Sequence, residues 1–338
     1  MLASHSRGAI AAFGVAGMVL VALIAATVGA VAISPIDAIA VILDHITPFA
    51  FDTPDVADSI VWGIRLPRIV AAAGAGAALG LAGTVLQGSY RNPYADPHLV
   101  GISAVGSIGV LLGAWVGWGL WGPVAAVIGG ALAGAIGSIV VRLIASKVEG
   151  DPTHLIVVGI GFGLAVSAVV SAAAIAIHDP RIPDIEFWFV GGLAASTWGT
   201  ALWMSIAALF AIAATIPFAR HLDLLSLGTI PARHLGVDVD RVLVVTLTVG
   251  GLAVGASVGT AGVVGFVGLV SAYAARRLVG EHHKLTLVAS PLLGAAFLIA
   301  CDACGRVLGG RFEVPVGLVT AAIGGPFLIW LVVRRAAA

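Results

Sequence analysis

The chain has 338 residues, of which 60% are hydrophobic and only 10% are charged, against about 25% charged residues in an ordinary soluble domain. This composition excludes a soluble globular protein and indicates a protein that lies in a membrane. The 17 basic and 17 acidic residues cancel, which leaves no basic surface for nucleic acid and no acidic tail.

Long uncharged stretches separate the charged residues, and each could cross a bilayer, since a spanning helix needs about 20 apolar residues. Residues 97–141 and 242–275 are each long enough for two spans divided by a turn. We therefore predict an all-α integral membrane protein with about ten transmembrane helices in a single domain, 1–338. The predicted spans are 9–33, 67–88, 99–117, 122–145, 153–177, 198–219, 240–261, 264–279, 285–308 and 315–334.

Glycines recur inside these spans at the spacing of one helix face. Gly74, Gly76 and Gly80 form one group, and Gly130 and Gly134 belong to another. Small residues let helix backbones approach one another closely. We interpret both groups as packing surfaces of a tight helix bundle.

The basic residues predict the orientation of the chain in the membrane. If ten spans alternate from a cytoplasmic N-terminus, 12 of the 17 basic residues lie on the cytoplasmic side. This excess obeys the positive-inside rule, and the opposite orientation would invert it. Both termini are therefore predicted to be cytoplasmic.

The motifs of nucleotide-binding and metal-binding proteins are missing. A P-loop needs Gly-Lys followed by Ser or Thr, and neither Lys147 nor Lys284 stands in that context. The nine histidines form no metal-binding pattern, and we predict that the pair His282-His283 is solvated in a cytoplasmic loop. We expect no catalytic constellation, no metal site and no cofactor in this chain.

Charges inside the predicted spans are rare and lie close to the span ends, except for Asp302, which lies deeper in the ninth span and has Arg306 four residues after it. Residues four apart lie on one face of a helix and can pair, with the acid nearer the N-terminus. We predict a structural ion pair near the outer end of the ninth span. A role in an ion relay is the alternative for this pair.

The cytoplasmic connection at 220–241 has the pattern of two short amphipathic helices. Leucines between 222 and 227 form an apolar turn, Gly228 interrupts it, and a second helix from Ile230 to Leu235 is predicted to end at Gly236. Such helices can insert into the groove of a partner protein. The alternative is that they lie on the bilayer surface.

Five motifs follow one another along the chain. Arg65-Leu66-Pro67-Arg68 opens the second span, and Arg91-Asn92-Pro93-Tyr94-Ala95-Asp96-Pro97 follows it. Leu225-Ser226-Leu227-Gly228 lies in the 220–241 connection. Gly265-Phe266-Val267-Gly268-Leu269-Val270 and Glu313-Val314-Pro315-Val316-Gly317 come later. In this order the motifs resemble those of the FecCD/BtuC family of bacterial ABC importer permeases.

The resemblance implies a type II ABC importer (BtuC-like) fold and a set of partners. Family members pair with a second permease subunit, identical or paralogous, around a central path. Two ATPase subunits, which bind ATP and Mg, dock on the cytoplasmic side, and an extracytoplasmic substrate-binding protein docks on the other. The sequence departs from the family at Ala272-Tyr273, where Pro-His is common.

The resemblance also implies roles for individual residues. Arg65 and Arg68 are expected to dock the binding protein, where charge pairing favours orientation and association rate. Four residues are expected at a cytoplasmic gate: Asn92, Tyr94, Pro152 and Thr153. The residues expected to couple to the ATPase are Leu224, Leu225, Ser226, Leu227, Gly228, Ala232, Arg233, Leu235 and Gly236.

The function implied is that of a permease subunit in the bacterial inner membrane. It would move an iron-siderophore, haem or cobalamin by alternating access, driven by the separate ATPase subunits. The alternative is a self-sufficient secondary carrier driven by an ion gradient. Scarce charges within the predicted spans disfavour that alternative.

Overall fold

A computed structural model describes residues 2–49, 51, 53–117, 121–147, 152–177, 190–308 and 312–336. Within these ranges every regular element is helical. The helices are α1 (Leu2–Thr27), α2 (Pro35–Ile46), α3 (Asp55–Ile60), α4 (Leu66–Ser89), α5 (Ile102–Val116), α6 (Gly122–Ala145), α7 (Pro152–Ile177), α8 (Trp198–Thr215), α9 (Ala219–Ser226), α10 (Thr229–His234), α11 (Val239–Ala261), α12 (Val267–Val279), α13 (His283–Leu308) and α14 (Val316–Ala336). A π-helical turn, Val61–Arg65, joins α3 to α4.

Each of the ten predicted spans corresponds to a helix, but the helices differ in length. In the described ranges, seven segments are long and apolar enough to cross a membrane, and Ile102–Val116 and Val157–Ala173 are shorter apolar helices. The predicted eighth span, 264–279, is corrected to the 13 residues of α12. At 1.5 Å per residue this helix is about 20 Å long, which is less than the hydrocarbon thickness of a bilayer.

α4 lies at the centre of the bundle and is buried along nearly its whole length. It packs against α8, α11, α12 and α13, and a helix that is apolar all round suits such a position. At Gly76 the backbone of α4 meets the carbonyl of Gly294 in α13, and a Cβ there would collide with it. The predicted packing surface is confirmed at this crossing.

The second predicted glycine surface joins α6 to α11. A Cβ on Gly134 would collide with the carbonyl oxygen of Gly251, and a Cβ on Gly130 would collide with that of Gly255. The two backbones therefore touch directly at successive turns, as small residues in membrane helices allow.

The bundle has two ends that carry the candidate sites. One end, here called the coupling end, holds α9 and α10, the last turn of α4 and the first turn of α13. The opposite end, here called the arginine end, holds the first turn of α4 with the last turns of α1 and α13.

Candidate functional surfaces at the two ends of the bundle

Two short helices, α9 and α10, form the surface of the coupling end. Between them Gly228 has φ +119° and ψ 158°, a conformation that side-chain-bearing residues rarely adopt. α10 then ends in a Schellman motif, in which Gly236 N–H donates to Arg233 O and Val237 N–H donates to Ala232 O, both at 3.0 Å. The predicted break at Gly228 and the helix end at Gly236 are confirmed.

α9 and α10 have one face in the bundle and one face outside it. Leu222, Leu225 and Ala232 are fully buried, so they anchor the helices to the bundle. Leu227, Ile230 and Leu235 are instead 63%, 69% and 59% exposed. These three residues, here called the apolar triad, form an exposed apolar surface at the coupling end.

The nine coupling residues expected from the resemblance fall into two groups. Leu225, Gly228 and Ala232 are buried, and Leu224 is half-buried. The exposed ones are Ser226, Leu227, Arg233, Leu235 and Gly236. The buried residues can only position the surface. Ile230 is not among the nine expected residues, yet it presents the most exposed side chain of the apolar triad.

Asp240, in the first turn of α11, links α10 to α6. Its two carboxylate oxygens accept hydrogen bonds from Arg142 of α6 at 2.7 Å and from Arg233 of α10 at 3.0 Å. Asp238 begins α11 by accepting the N–H of Arg241 at 3.1 Å, as an N-cap residue does. The ends of α6, α10 and α11 are thereby joined by charged groups.

The loop after α4 holds two of the expected gate residues. Asn92 is buried, and its amide oxygen accepts the N–H of Tyr94 at 2.9 Å. Gln87 of α4 donates to Ala95 O at 3.1 Å and accepts a short hydrogen bond from Arg276 of α12. The loop is thus held against α4 and α12, and its gating role stays a prediction.

Asp96, within the same loop, caps α12. Its carboxylate accepts the N–H of Leu269 at 3.1 Å and that of His98 at 2.9 Å. A negative charge at the N-terminus of a helix is stabilised by the free N–H groups there. The quoted motif contains Asp96, but nothing in the sequence indicates that its partner lies 173 residues away.

The other two residues expected at the cytoplasmic gate, Pro152 and Thr153, lie at the limit of the described chain. α7 begins at Pro152, and the side chains of Pro152 and Thr153 lie outside the described residues. Residues 178–189 lie outside them as well.

At the arginine end, Arg68 is the centre of a buried charge cluster. Its Nε donates to both carboxylate oxygens of Asp302, at 2.8 and 3.0 Å, and its Nη1 donates to Glu313 at 2.6 Å. Arg306 Nε lies 3.3 Å from Asp302, in ion-pair contact without hydrogen-bond geometry. Asp302 and Arg306 are therefore paired, but Arg68 is the stronger partner of the acid.

Arg65 and Arg306 bind backbone carbonyls at the C-terminal end of α1. Arg65 donates to Ala26 O at 2.6 Å and to Val31 O, while Arg306 donates to Ala25 O at 2.8 Å and to Val28 O at 3.1 Å. The last carbonyls of a helix have no partner within it and attract cations. These two arginines therefore attach α1 to α4 and α13.

The same arginines line a cavity of about 180 Å³. Arg65, Arg68 and Arg306 contribute three positive charges, and Glu313 is the acid on its wall. Arg65 and Arg68 are only 5% exposed in the isolated chain. Their docking role remains a prediction, and Arg306, expected only as a structural partner, shares the cavity with them.

Tyr273, where the sequence departs from the family pattern, belongs to an aromatic cluster. Its ring meets Phe327 and Trp330 of α14 edge-on, with centroids 5.3 and 6.1 Å apart, and such edge contacts are favourable for aromatic pairs. Its hydroxyl accepts from Arg277 at 3.1 Å. Tyr273 thus packs α12 against α14.

Comparisons with known proteins agree with this architecture. The profile of the FecCD transport family matches residues 17–334. The cobalamin import system permease protein BtuC of Halobacterium salinarum is 36% identical over 303 residues, which cover 88% of this chain and 79% of that protein. The hemin transport system permease protein HmuU of Yersinia pestis is 34% identical over 280 residues, which cover 81% of this chain and 84% of that protein.

A solved structure agrees as well. A chain of a metal-chelate type ABC transporter in an inward-facing conformation superposes with a TM-score of 0.76 and 28% identity, covering 97% of this chain and 99% of the solved one. The apolar spanning helices show a multi-pass membrane protein. The chain therefore belongs to the FecCD transport family and is a permease subunit of an ABC importer.

Proposed function

We propose that this permease imports a metal chelate by alternating access, driven by separate ATPase subunits that dock on α9 and α10 and hold ATP and Mg. The observation that carries the proposal is the apolar triad, Leu227, Ile230 and Leu235, exposed on two short helices whose other face is anchored in the bundle. Amphipathic helices of this kind fit a hydrophobic groove of a partner protein.

The arrangement favours a protein partner over the bilayer surface. A surface-lying helix typically carries a row of Lys and Arg with bulky apolar residues opposite. α9 and α10 carry one such cation each, Arg220 and Arg233, and Asp240 already pairs with Arg233. The rigid turns at Gly228 and Gly236 also hold the triad in one geometry, which lowers the entropy lost on docking.

At the arginine end we propose docking of an extracytoplasmic substrate-binding protein through its acidic residues. The cavity lined by Arg65, Arg68 and Arg306 supports this, because its three cations outnumber Glu313 on its wall together with the buried Asp302 that pairs with Arg68. The proposal places the coupling end and both termini in the cytoplasm, in agreement with the positive-inside rule. A second permease subunit, identical or paralogous, would complete the path in the bacterial inner membrane.

The names of the relatives support the class of cargo. Cobalamin and hemin each contain a metal ion held in a large macrocycle, and the solved relative is of metal-chelate type. A ferric siderophore is a metal chelate of similar bulk. Cyanocobalamin, hemin and a ferric hydroxamate are therefore the first probes for uptake.

The decisive experiment measures how the permease binds and activates its partner ATPase, which is sought among P-loop proteins encoded near the gene for this chain. Leu227→Asp should weaken ATPase binding by about tenfold or more, as loss of a central apolar contact does. Leu278→Asp is the matched control, because Leu278 is 71% exposed but lies on α12, outside the coupling helices. Equal binding by both variants would contradict the docking assignment.

The energy source is tested with the purified permease alone in proteoliposomes. Uptake of a probe under an ion gradient, without any ATPase, would contradict the proposal and establish a secondary carrier. Uptake that requires both the ATPase and ATP would support it.

A further inference from the structure

One side chain of the coupling helices reaches across to a long helix of the bundle. Asp223, in the middle of α9, accepts the backbone N–H of His283 at 2.8 Å and contacts the Nδ1 of its ring at 2.7 Å. Both contacts are made by the same carboxylate oxygen, Oδ1. His283 is the first residue of α13, so the carboxylate caps a helix 60 residues away along the chain.

The charge at the end of α13 and the burial of His283 both strengthen the Asp223–His283 contact. The first N–H groups of α13 have no partner within the helix and carry partial positive charge, which the carboxylate stabilises. The prediction that His282 and His283 are both solvated is wrong for His283, which is buried, and correct for His282, whose side chain is 84% exposed. Asp223 is half-buried. A hydrogen bond to a charged group in such surroundings is stronger than one at an open surface.

His283 also contacts the central helix. Its ring lies directly against Gly88 in the last turn of α4, where a Cβ would collide with Nε2. The neighbouring residue Gln87 binds both Ala95, in the expected gate loop, and Arg276 of α12. A short series of direct contacts therefore joins α9 to α13, α4 and the loop after α4.

We propose that Asp223 and His283 are positioning residues that transmit displacement of the coupling helices to the ends of α13 and α4. The inference rests on the proposed function, because the ATPase supplies the displacement. α9 is anchored by buried leucines and α13 by its cap. When the docked ATPase moves α9, the Asp223–His283 contact obliges the first turn of α13 to follow.

Three variants separate this role from a loss of stability. Asp223→Ala removes the cap, whereas Asp223→Asn keeps an oxygen that can accept both hydrogen bonds. Asp238→Ala is the matched control, since Asp238 caps α11 through the nearby Arg241 and, among the residues that the structure describes, bridges to no second element. All three leave the apolar triad intact.

The functional measurement is the ratio of probe uptake to ATP hydrolysis in the reconstituted complex. Asp223→Ala should bind the ATPase like the wild type but lower this ratio by about fivefold or more, the range of a typical coupling energy. Asp223→Asn and Asp238→Ala should stay near the wild-type ratio. An unchanged ratio in Asp223→Ala, or an equal loss in Asp238→Ala, would overturn the proposal.

A second measurement remains informative if the proposed function fails. Spin labels at Ser226→Cys and Glu281→Cys, in a chain whose native cysteines are replaced, report the distance between α9 and the start of α13 in the permease alone. The distance distribution should be narrow in the wild-type background and in Asp223→Asn, and broad in Asp223→Ala. Identical distributions in all three would refute the link, whatever the ATPase does.

Discussion

Replacing Arg68 with Met should destabilise the protein strongly, because it leaves a buried acid without its partner. Arg68 makes two hydrogen bonds to Asp302, whose side chain is only 1% exposed. After the replacement, Arg306 Nε remains in contact at 3.3 Å but without hydrogen-bond geometry. The carboxylate then stays buried with an incomplete set of partners.

The expected cost is about 3–5 kcal/mol, the usual result of removing one member of a buried ion pair. This corresponds to a shift of about a hundredfold to several thousandfold in the unfolding equilibrium. Arg68 also pairs with Glu313, but that acid is 53% exposed. Glu313→Gln should therefore cost only about 0–1 kcal/mol, as exposed pairs do.

The measurement is reversible unfolding in mixed micelles, followed by tryptophan fluorescence. The double variant Arg68→Met with Asp302→Leu should regain most of the loss, because it removes the orphaned charge together with its partner. If Glu313→Gln costs as much as Arg68→Met, or if the double variant is no more stable than Arg68→Met, the assignment of the energy to the buried pair is wrong.

Two glycines and one arginine give three further predictions. Gly236→Ala should destabilise the protein by about 1–2 kcal/mol, because φ is +82° at this position. No neighbouring atom would clash with the added Cβ, so the cost comes from the backbone conformation alone. Thermal unfolding measures the loss, and the control Gly17→Ala, in open space on α1, should show none. Gly134→Ala should cost about 1–3 kcal/mol through collision with the backbone of α11, whereas Gly161→Ala, which has open space, should be neutral or stabilising in the same assay. Arg65→Glu should weaken association of the binding protein more at low salt than at high salt, and a loss that is independent of salt in a binding titration would count against charge-guided docking.

Local sequence patterns were sufficient to predict the helices and the turns at Gly228 and Gly236. Hydrophobic length predicted the order of the spans, and the positive φ of Gly228 and Gly236 is open to a residue without Cβ. The predicted glycine surfaces were also correct, because the spacing of Gly130 and Gly134 places both on one helix face. The all-α fold was predictable from the same local patterns, whereas the family was predicted from the order of the motifs.

Partners distant along the chain were not predictable. The spacing of Asp302 and Arg306 indicated a pair, but the strongest contact of Asp302 is with Arg68, 234 residues away. His283 was predicted to be solvated, because its neighbours in sequence are polar, yet it is buried against Gly88 and bound to Asp223. Each of these contacts depends on which helix ends meet.

The sparse charges of the sequence determined by themselves that this is a helical membrane protein, since apolar length and helical period are local properties of the chain. The motifs placed it in its family. Only the tertiary structure decided which charges are used internally and which surfaces remain open. Arg65 binds a carbonyl in the last turn of α1 and Arg68 pairs with Asp302, while the apolar triad stays exposed, because burial depends on how helices far apart in sequence pack together.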